Sequence, residues 1–169
     1  ETSYFDYSDN KLTQVRTVAQ NAAGVSQTLT RVRYSYDSSN RLSQVTVDLS
    51  PEDNVITDNK TYKTTYTYDG TSTRVASITQ SDGTALAFTY IQVGTDFKVA
   101  TVRDGLNQLT SYSYDTANRR TTVTDPLGLV TRYSYDTTGQ LIQITAPAVN
   151  GVSQTSSFSY NSNGDLLQV

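Results

Sequence analysis

The chain has 169 residues, enough for one domain of ordinary size, and it contains no His, Cys or Trp. Without His no imidazole can activate a Ser or Cys nucleophile, and without His or Cys the usual zinc, haem and iron–sulfur sites lack ligands. A formal net charge of -3 with a pI ≈ 4.8 has the wrong sign for a module held on nucleic acid by phosphate contacts.

Tyr occurs 13 times, and Ser and Thr together supply 47 residues. Hydrophobic content is only 36%, yet the wealth of Tyr, Thr and Val argues against disorder, which is poor in aromatic and β-branched residues. No apolar run approaches the roughly 18 residues of a membrane span, and no signal-peptide core is present. Membrane insertion is therefore not expected, and this segment carries no address. The chain starts Glu1-Thr2-Ser3 and has no Met, so it is expected to be a processed or excised part of something longer.

In chain order, one pattern recurs. Phe5-Asp6-Tyr7-Ser8 is a weak first copy, followed by the strong copies Tyr34-Ser35-Tyr36-Asp37 and Tyr66-Thr67-Tyr68-Asp69. Phe88-Thr89-Tyr90-Ile91 is weak again. Tyr112-Ser113-Tyr114-Asp115 and Tyr133-Ser134-Tyr135-Asp136 are strong, and Phe158-Ser159-Tyr160-Asn161 closes the set. Successive first aromatics lie 29, 32, 22, 24, 21 and 25 residues apart, the widest gaps coming from longer connections. After each copy and a short turn comes a basic–apolar pair with an apolar residue three positions on. The instances are Lys11-Leu12 with Val15, Arg41-Leu42 with Val45, Arg74-Val75 with Ile78 and Lys98-Val99 with Val102. The pair degrades in Arg119-Arg120 with Val123, Gln140-Leu141 with Ile144 and Asp165-Leu166 with Val169. A second turn, clearest at Asp125-Pro126-Leu127-Gly128, leads to the next aromatic pair.

The pattern predicts β-hairpins. Tyr-x-Tyr has the period of two that sets both rings on one sheet face. Asp followed by Ser, Asn or Gly is turn chemistry, because the short carboxylate bonds local backbone and Asn or Gly accepts positive φ. Helix formers are sparse and the segments between turns are short, so an all-β fold with almost no helix is expected. Leu42 and Val45 are three apart: either both sheet faces are partly buried, or a bulge lies between them. The expectation for residues 1–169 is a single array of about seven hairpin repeats, forming one continuous twisted sheet rather than two domains. Cross-strand Tyr pairs at about 0.2–1 kcal/mol each would make its stability cumulative.

On these residues the chain resembles the YD-repeat (Rhs-repeat) family. That family's unit reads Gly-x-x-x-x-Tyr-x-Tyr-Asp-x-x-Gly-Arg-Leu, followed by Val-x-Asp-x-x-Gly. The positions that carry the resemblance are Tyr34, Tyr36, Asp37, Tyr66, Tyr68, Asp69, Tyr112, Tyr114, Asp115, Tyr133, Tyr135, Asp136 and Gly139. Asn40 and Asn118 stand where Gly139 does, and the copy at Phe88 lacks the Asp. The resemblance implies hairpins wound into a spiralling β-shell, as in bacterial Rhs proteins, insecticidal toxin-complex B and C components and teneurins. It implies a secreted or cell-surface setting. The implied partners are the rest of the parent shell and an enclosed C-terminal toxin, or an adhesive contact.

Asp125-Pro126-Leu127-Gly128-Leu129 looks like the signature that closes the Rhs core and marks self-cleavage. A full repeat follows it, so an ordinary turn is the preferred reading. The repeated Asp residues read as turn caps rather than metal ligands, and neither catalytic nor cofactor-binding residues are expected. The bases Arg41, Arg74, Lys98 and Arg119 are expected to pair with turn Asp groups or cover apolar surface. The Tyr rows read as packing with their hydroxyls in water, and the loop over Val47–Thr64 as projecting. The alternative function is a carbohydrate-binding module that uses an exposed Tyr ladder to hold glycans. Unpaired strand edges allow edge-to-edge self-association.

Overall fold

A computed structural model describes all 169 residues and contains strands but no helix. The all-β expectation holds. The chain falls into two compact units, Glu1–Leu86 and Ala87–Val169. The first holds β1 (Thr2–Ser8), β2 (Lys11–Gln20), β3 (Ser26–Tyr36), β4 (Leu42–Asp48), β5 (Thr61–Tyr68) and β6 (Val75–Gln80). The division falls within β7 (Ala85–Val93). The second holds β8 (Asp96–Asp104), β9 (Leu109–Asp115), β10 (Arg120–Thr124), β11 (Val130–Tyr135), β12 (Leu141–Thr145) and β13 (Thr155–Ser157), then β14 (Ser159–Tyr160) and β15 (Leu166–Gln168). In each unit strand order follows chain order and every described pairing is antiparallel, with β14 and β15 pairing apart.

The hairpin ends share one local design. The Asp37 N–H donates to the Arg41 carbonyl and the Asn40 N–H to the Asp37 carbonyl, with Asn40 left-handed at φ 62. This is a three-residue loop whose last member must accept positive φ, which explains Asn or Gly there. Gly139 (φ 88) and Gly164 (φ 87) close the later motif turns, and Gly128 (φ 81) closes the opposite end of its hairpin. The Asp125–Leu129 segment is therefore a turn between β10 and β11. In the fifth copy the left-handed residue is Arg119 (φ 48), not Asn118, which corrects the alignment of Asn118 with Gly139.

A bulge answers the question of Leu42 and Val45. Tyr36 faces Leu42, Ser35 faces Gln44 and Tyr34 faces Val45, so Ser43 is one residue too many on β4. The extra residue resets the alternation and returns both apolar side chains to the tyrosine face. The same shift puts Tyr7 opposite Leu12 and Phe5 opposite Val15, and Tyr68 opposite Val75 with Tyr66 opposite Ile78. It recurs with Tyr135 opposite Leu141 and Tyr133 opposite Ile144. The fifth copy lacks it: Tyr114 faces Thr121 and Tyr112 faces Val123 in unbroken register.

Apart from Pro51, no apolar side chain is buried. In the first unit the buried polar residues are Thr17, Thr30, Thr46 and Asp48. The connection between β4 and β5 runs over residues 49–60. That loop does not project, contrary to expectation, and its flanks Val47 and Thr61 belong to strands. It folds back: Arg33 holds both Asp48 (3.1 Å) and the Asn54 carbonyl oxygen Oδ1 (2.6 Å), Gln27 donates to the Glu52 carbonyl, and Pro51 is buried.

Candidate functional site

Each motif position has a distinct task in the structure. The first tyrosines, Tyr34, Tyr66, Tyr112 and Tyr133, are half-buried on the sheet opposite Val45, Ile78, Val123 and Ile144. The second tyrosine reaches across to the preceding repeat. The hydroxyl of Tyr36 donates to the Leu12 carbonyl (2.9 Å), and that of Tyr68 to the Leu42 carbonyl (2.7 Å). Tyr114 donates to Val99 (2.8 Å) and Tyr160 to Leu141 (2.8 Å). For Leu12, Leu42 and Leu141 the acceptor stands just before the bulge, where the extra residue interrupts the ladder. The tyrosine thus satisfies backbone that the bulge takes out of pairing.

These bonds correct the picture of wet hydroxyls. They also show what residue-type patterns conceal, because the acceptors are main-chain carbonyls common to every residue. The hint was the three-residue spacing, which required either a bulge or two covered faces.

The basic residue before the acceptor completes the joint. Arg41 lies 4.4 Å from the Tyr68 ring centre, Lys98 5.0 Å from that of Tyr114 and Lys11 5.5 Å from that of Tyr36. A cation over an aromatic face is attracted by the ring quadrupole. Arg41 also donates to its own Asp37 (2.8 Å) and to the Gly70 and Ser72 carbonyls of the next turn (2.8 and 2.6 Å). One guanidinium therefore ties two successive hairpins. Arg74 pairs with Asp69 and Arg120 with Asp115, whereas Arg119 donates to the Tyr135 carbonyl instead.

The aspartates cap the turns. One oxygen of Asp37 accepts the N–H groups of Ser39 and Arg41, and one of Asp136 accepts those of Thr138 and Gln140. The Arg41 backbone N–H, aided by its guanidinium, holds the Asp37 carboxyl below the usual range. Thr138 does the same for Asp136 through its hydroxyl, and Asn118 for Asp115 through its side-chain amide. Asp69 accepts from Arg74 twice. No group of three or more His, Cys, Asp or Glu side chains is placed to hold a metal ion.

The fifth joint is irregular. Tyr135 has neither a carbonyl acceptor for its hydroxyl nor a cation over its ring, and a groove of about 550 Å³ opens beside it. Its walls include Lys98, Tyr114, Asp115, Arg119, Arg120 and Tyr135.

Residues 98–128 and 114–148 match the family model of the RHS Repeat, a span that contains two complete Tyr-x-Tyr-Asp units and the turn between them. Over those residues, 98–148, the chain is similar to RHS repeats. The same unit recurs outside the matched span, at Tyr34–Asp37 and Tyr66–Asp69. Among solved structures, a crystal structure of TcdB2-TccC3-Cdc42 is similar at 15% identity and a TM-score of 0.39, covering 98% of this chain. The chain spans 12% of that protein's length. A protein with unknown function from Bacteroides fragilis NCTC 9343 is similar at 12% identity and a TM-score of 0.17, covering 99% of this chain and 87% of that one. Scores this low carry no structural argument. No curated protein matches.

Proposed function

We propose that this chain is a structural, non-enzymatic segment of an RHS-repeat wall, one that encloses a C-terminal toxin or presents an adhesive surface in a secreted or cell-surface protein. The observation that carries the reading is a repeat sheet with no buried hydrophobic side chain, whose hairpins are joined by tyrosine-to-carbonyl bonds. A globular enzyme or a soluble binding domain gathers an apolar core to hold a site rigid. A wall needs only that each hairpin grip the next. In this reading Tyr34, Tyr36, Asp37, Tyr66, Tyr68, Asp69, Tyr112, Tyr114, Asp115, Tyr133, Tyr135, Asp136 and Gly139 are structural positions, and residues 1–169 act as one array. Its partners are further repeats and enclosed cargo.

The glycan-ladder alternative is weakened by the same geometry. Tyr36, Tyr68 and Tyr114 already have their hydroxyls bonded and their rings covered by cations, which leaves little free face for a sugar. The test is protease protection in the full-length gene product. Enclosure predicts that the region C-terminal to the repeats resists digestion while the wall is folded and is cut once the wall is opened. Digestion of that region at the same rate in both states contradicts enclosure.

A further inference from the structure

We propose that the groove at the fifth joint is a binding site for a small monocarboxylate carried on a ring, with Arg119 gripping the carboxylate and Tyr135 lying under the ring. The inference goes beyond the wall reading and rests on three observations. The first is conformational. Eight non-glycine residues have positive φ; seven are Asn or Asp, and the eighth is Arg119 at φ 48. Asn and Asp enter the left-handed region readily, whereas a long side chain does so at a cost. Asn40 and Gly139 hold the left-handed position of the three-residue turns, whereas in the fifth copy, whose turn closes from the Arg119 N–H to the Thr116 carbonyl, that position falls to Arg119. An arginine held there against local preference points to a use for its guanidinium, since strain of this kind gathers where function requires it.

The second observation is vacancy. At the second joint Arg41 spends its guanidinium on Asp37, Gly70 and Ser72 and covers Tyr68. Arg119 makes one long bond from Nε to the Tyr135 carbonyl (3.4 Å), its terminal nitrogens make no hydrogen bond or ion pair, and the residue lines the groove. The Tyr135 ring has no cation upon it and its hydroxyl has no partner. The cause is the missing bulge: with Thr121 in unbroken register opposite Tyr114, no carbonyl is released for Tyr135 to take.

The third is charge. Of the three cations on the groove wall, Lys98 rests on the Tyr114 ring and Arg120 is paired with Asp115 at 3.2 Å. One unpaired positive charge is left, on Arg119. It matches a monoanion, and the nearby Asp115 carboxylate disfavours a dianion such as phosphate. The planar fork of a guanidinium suits the two oxygens of a carboxylate, and a flat ring suits the open tyrosine face.

Two sources share this chemistry, an aromatic acid and a sugar acid, and the experiment separates them. The intact chain is titrated with benzoate, glucuronate, glucose and inorganic phosphate, while NMR follows the Arg119 side-chain Nε–H and the Tyr135 ring. Saturable shifts with benzoate alone assign an aromatic acid, with glucuronate alone a sugar acid, and with both the shared chemistry; each supports the site. Glucose is expected to leave both signals in place. Arg119→Gly is expected to weaken binding at least tenfold and to raise the melting temperature, whereas a merely structural arginine would lower it. Arg119→Lys, which keeps the charge without the fork, is expected to bind with intermediate affinity. The proposal is overturned if neither acid binds, if glucose or phosphate binds as well as the acids, or if Arg119→Gly binds unchanged or melts lower. Equal shifts at Arg41 and Tyr68 overturn it too.

Discussion

Replacing Tyr68 by Phe removes one hydroxyl and keeps the ring on which Arg41 rests. What is lost is the 2.7 Å bond to the Leu42 carbonyl beside the Ser43 bulge. A neutral hydrogen bond contributes about 0.5–1.5 kcal/mol net, and a carbonyl left wholly unpaired costs about 1–3 kcal/mol. Leu42 is only half-buried, so water reaches part of the vacated site and the lower range applies. A loss of about 1–1.5 kcal/mol is expected from urea unfolding followed by circular dichroism. Two controls share the chemistry but not the bond. Tyr66 sits one motif position earlier, and Tyr135 occupies the same motif position at the irregular joint; neither hydroxyl donates to a carbonyl. Tyr66→Phe and Tyr135→Phe should each change stability by less than about 0.5 kcal/mol, the range of surface substitutions that touch no special feature. If all three variants lose the same amount, the carbonyl bond is not what joins the repeats.

Arg41→Lys retains the charge but loses the fork that reaches Asp37 and the carbonyls of Gly70 and Ser72, at an expected cost of about 1–2 kcal/mol in the same urea assay. Gly139→Ala adds a Cβ that meets nothing within 4 Å, so its cost of about 1–2 kcal/mol is purely the left-handed backbone, and Gly139→Asn should recover most of it. Asp48 has a side chain 0% exposed and holds Arg33 at 3.1 Å. Asp48→Ala should cost about 2–3 kcal/mol and free residues 49–60 for cleavage by a protease that leaves the parent chain intact. Asp6, Asp37, Asp58, Asp82, Asp115 and Asp136 all have carboxyls held below their ordinary range, chiefly by hydrogen bonds from Arg16, Arg41, Lys60, Thr84, Asn118 and Thr138 respectively. Their contribution is complete above the unfolded pKa of about 3.9 and disappears as pH falls through the lower folded values. Melting temperature should therefore be level through neutral pH and drop only below about pH 4. A decline that begins at pH 6 would contradict this.

Much of the fold was legible because period and turn chemistry are local. Tyr34-Ser35-Tyr36-Asp37 announces a strand and its stop, and Asp125-Pro126-Leu127-Gly128 announces the opposite turn. The three-residue step from Leu42 to Val45 allowed a bulge without requiring one, since choosing between one and two covered faces needs the partner strand. The joint itself was hidden, because its acceptors at Leu12, Leu42, Val99 and Leu141 are backbone atoms and carry no residue signature. The fold-back of residues 49–60 is hidden for a related reason: Arg33 and Gln27, which hold the loop, lie in another strand far back in sequence. At the fifth copy the sequence showed a double arginine, but the shift of left-handed geometry from Asn118 to Arg119 depends on the absent bulge and appears only in three dimensions.

These repeats cohere through neighbour-to-neighbour joints rather than a shared core. Native-state hydrogen exchange on the intact chain, with and without Tyr68→Phe, tests this most directly. Amides of β4 and β5 are expected to lose protection while those of β10, β11 and β12 exchange as before. A uniform loss of protection along all strands would contradict it, because it would mean that the chain opens as a single cooperative core.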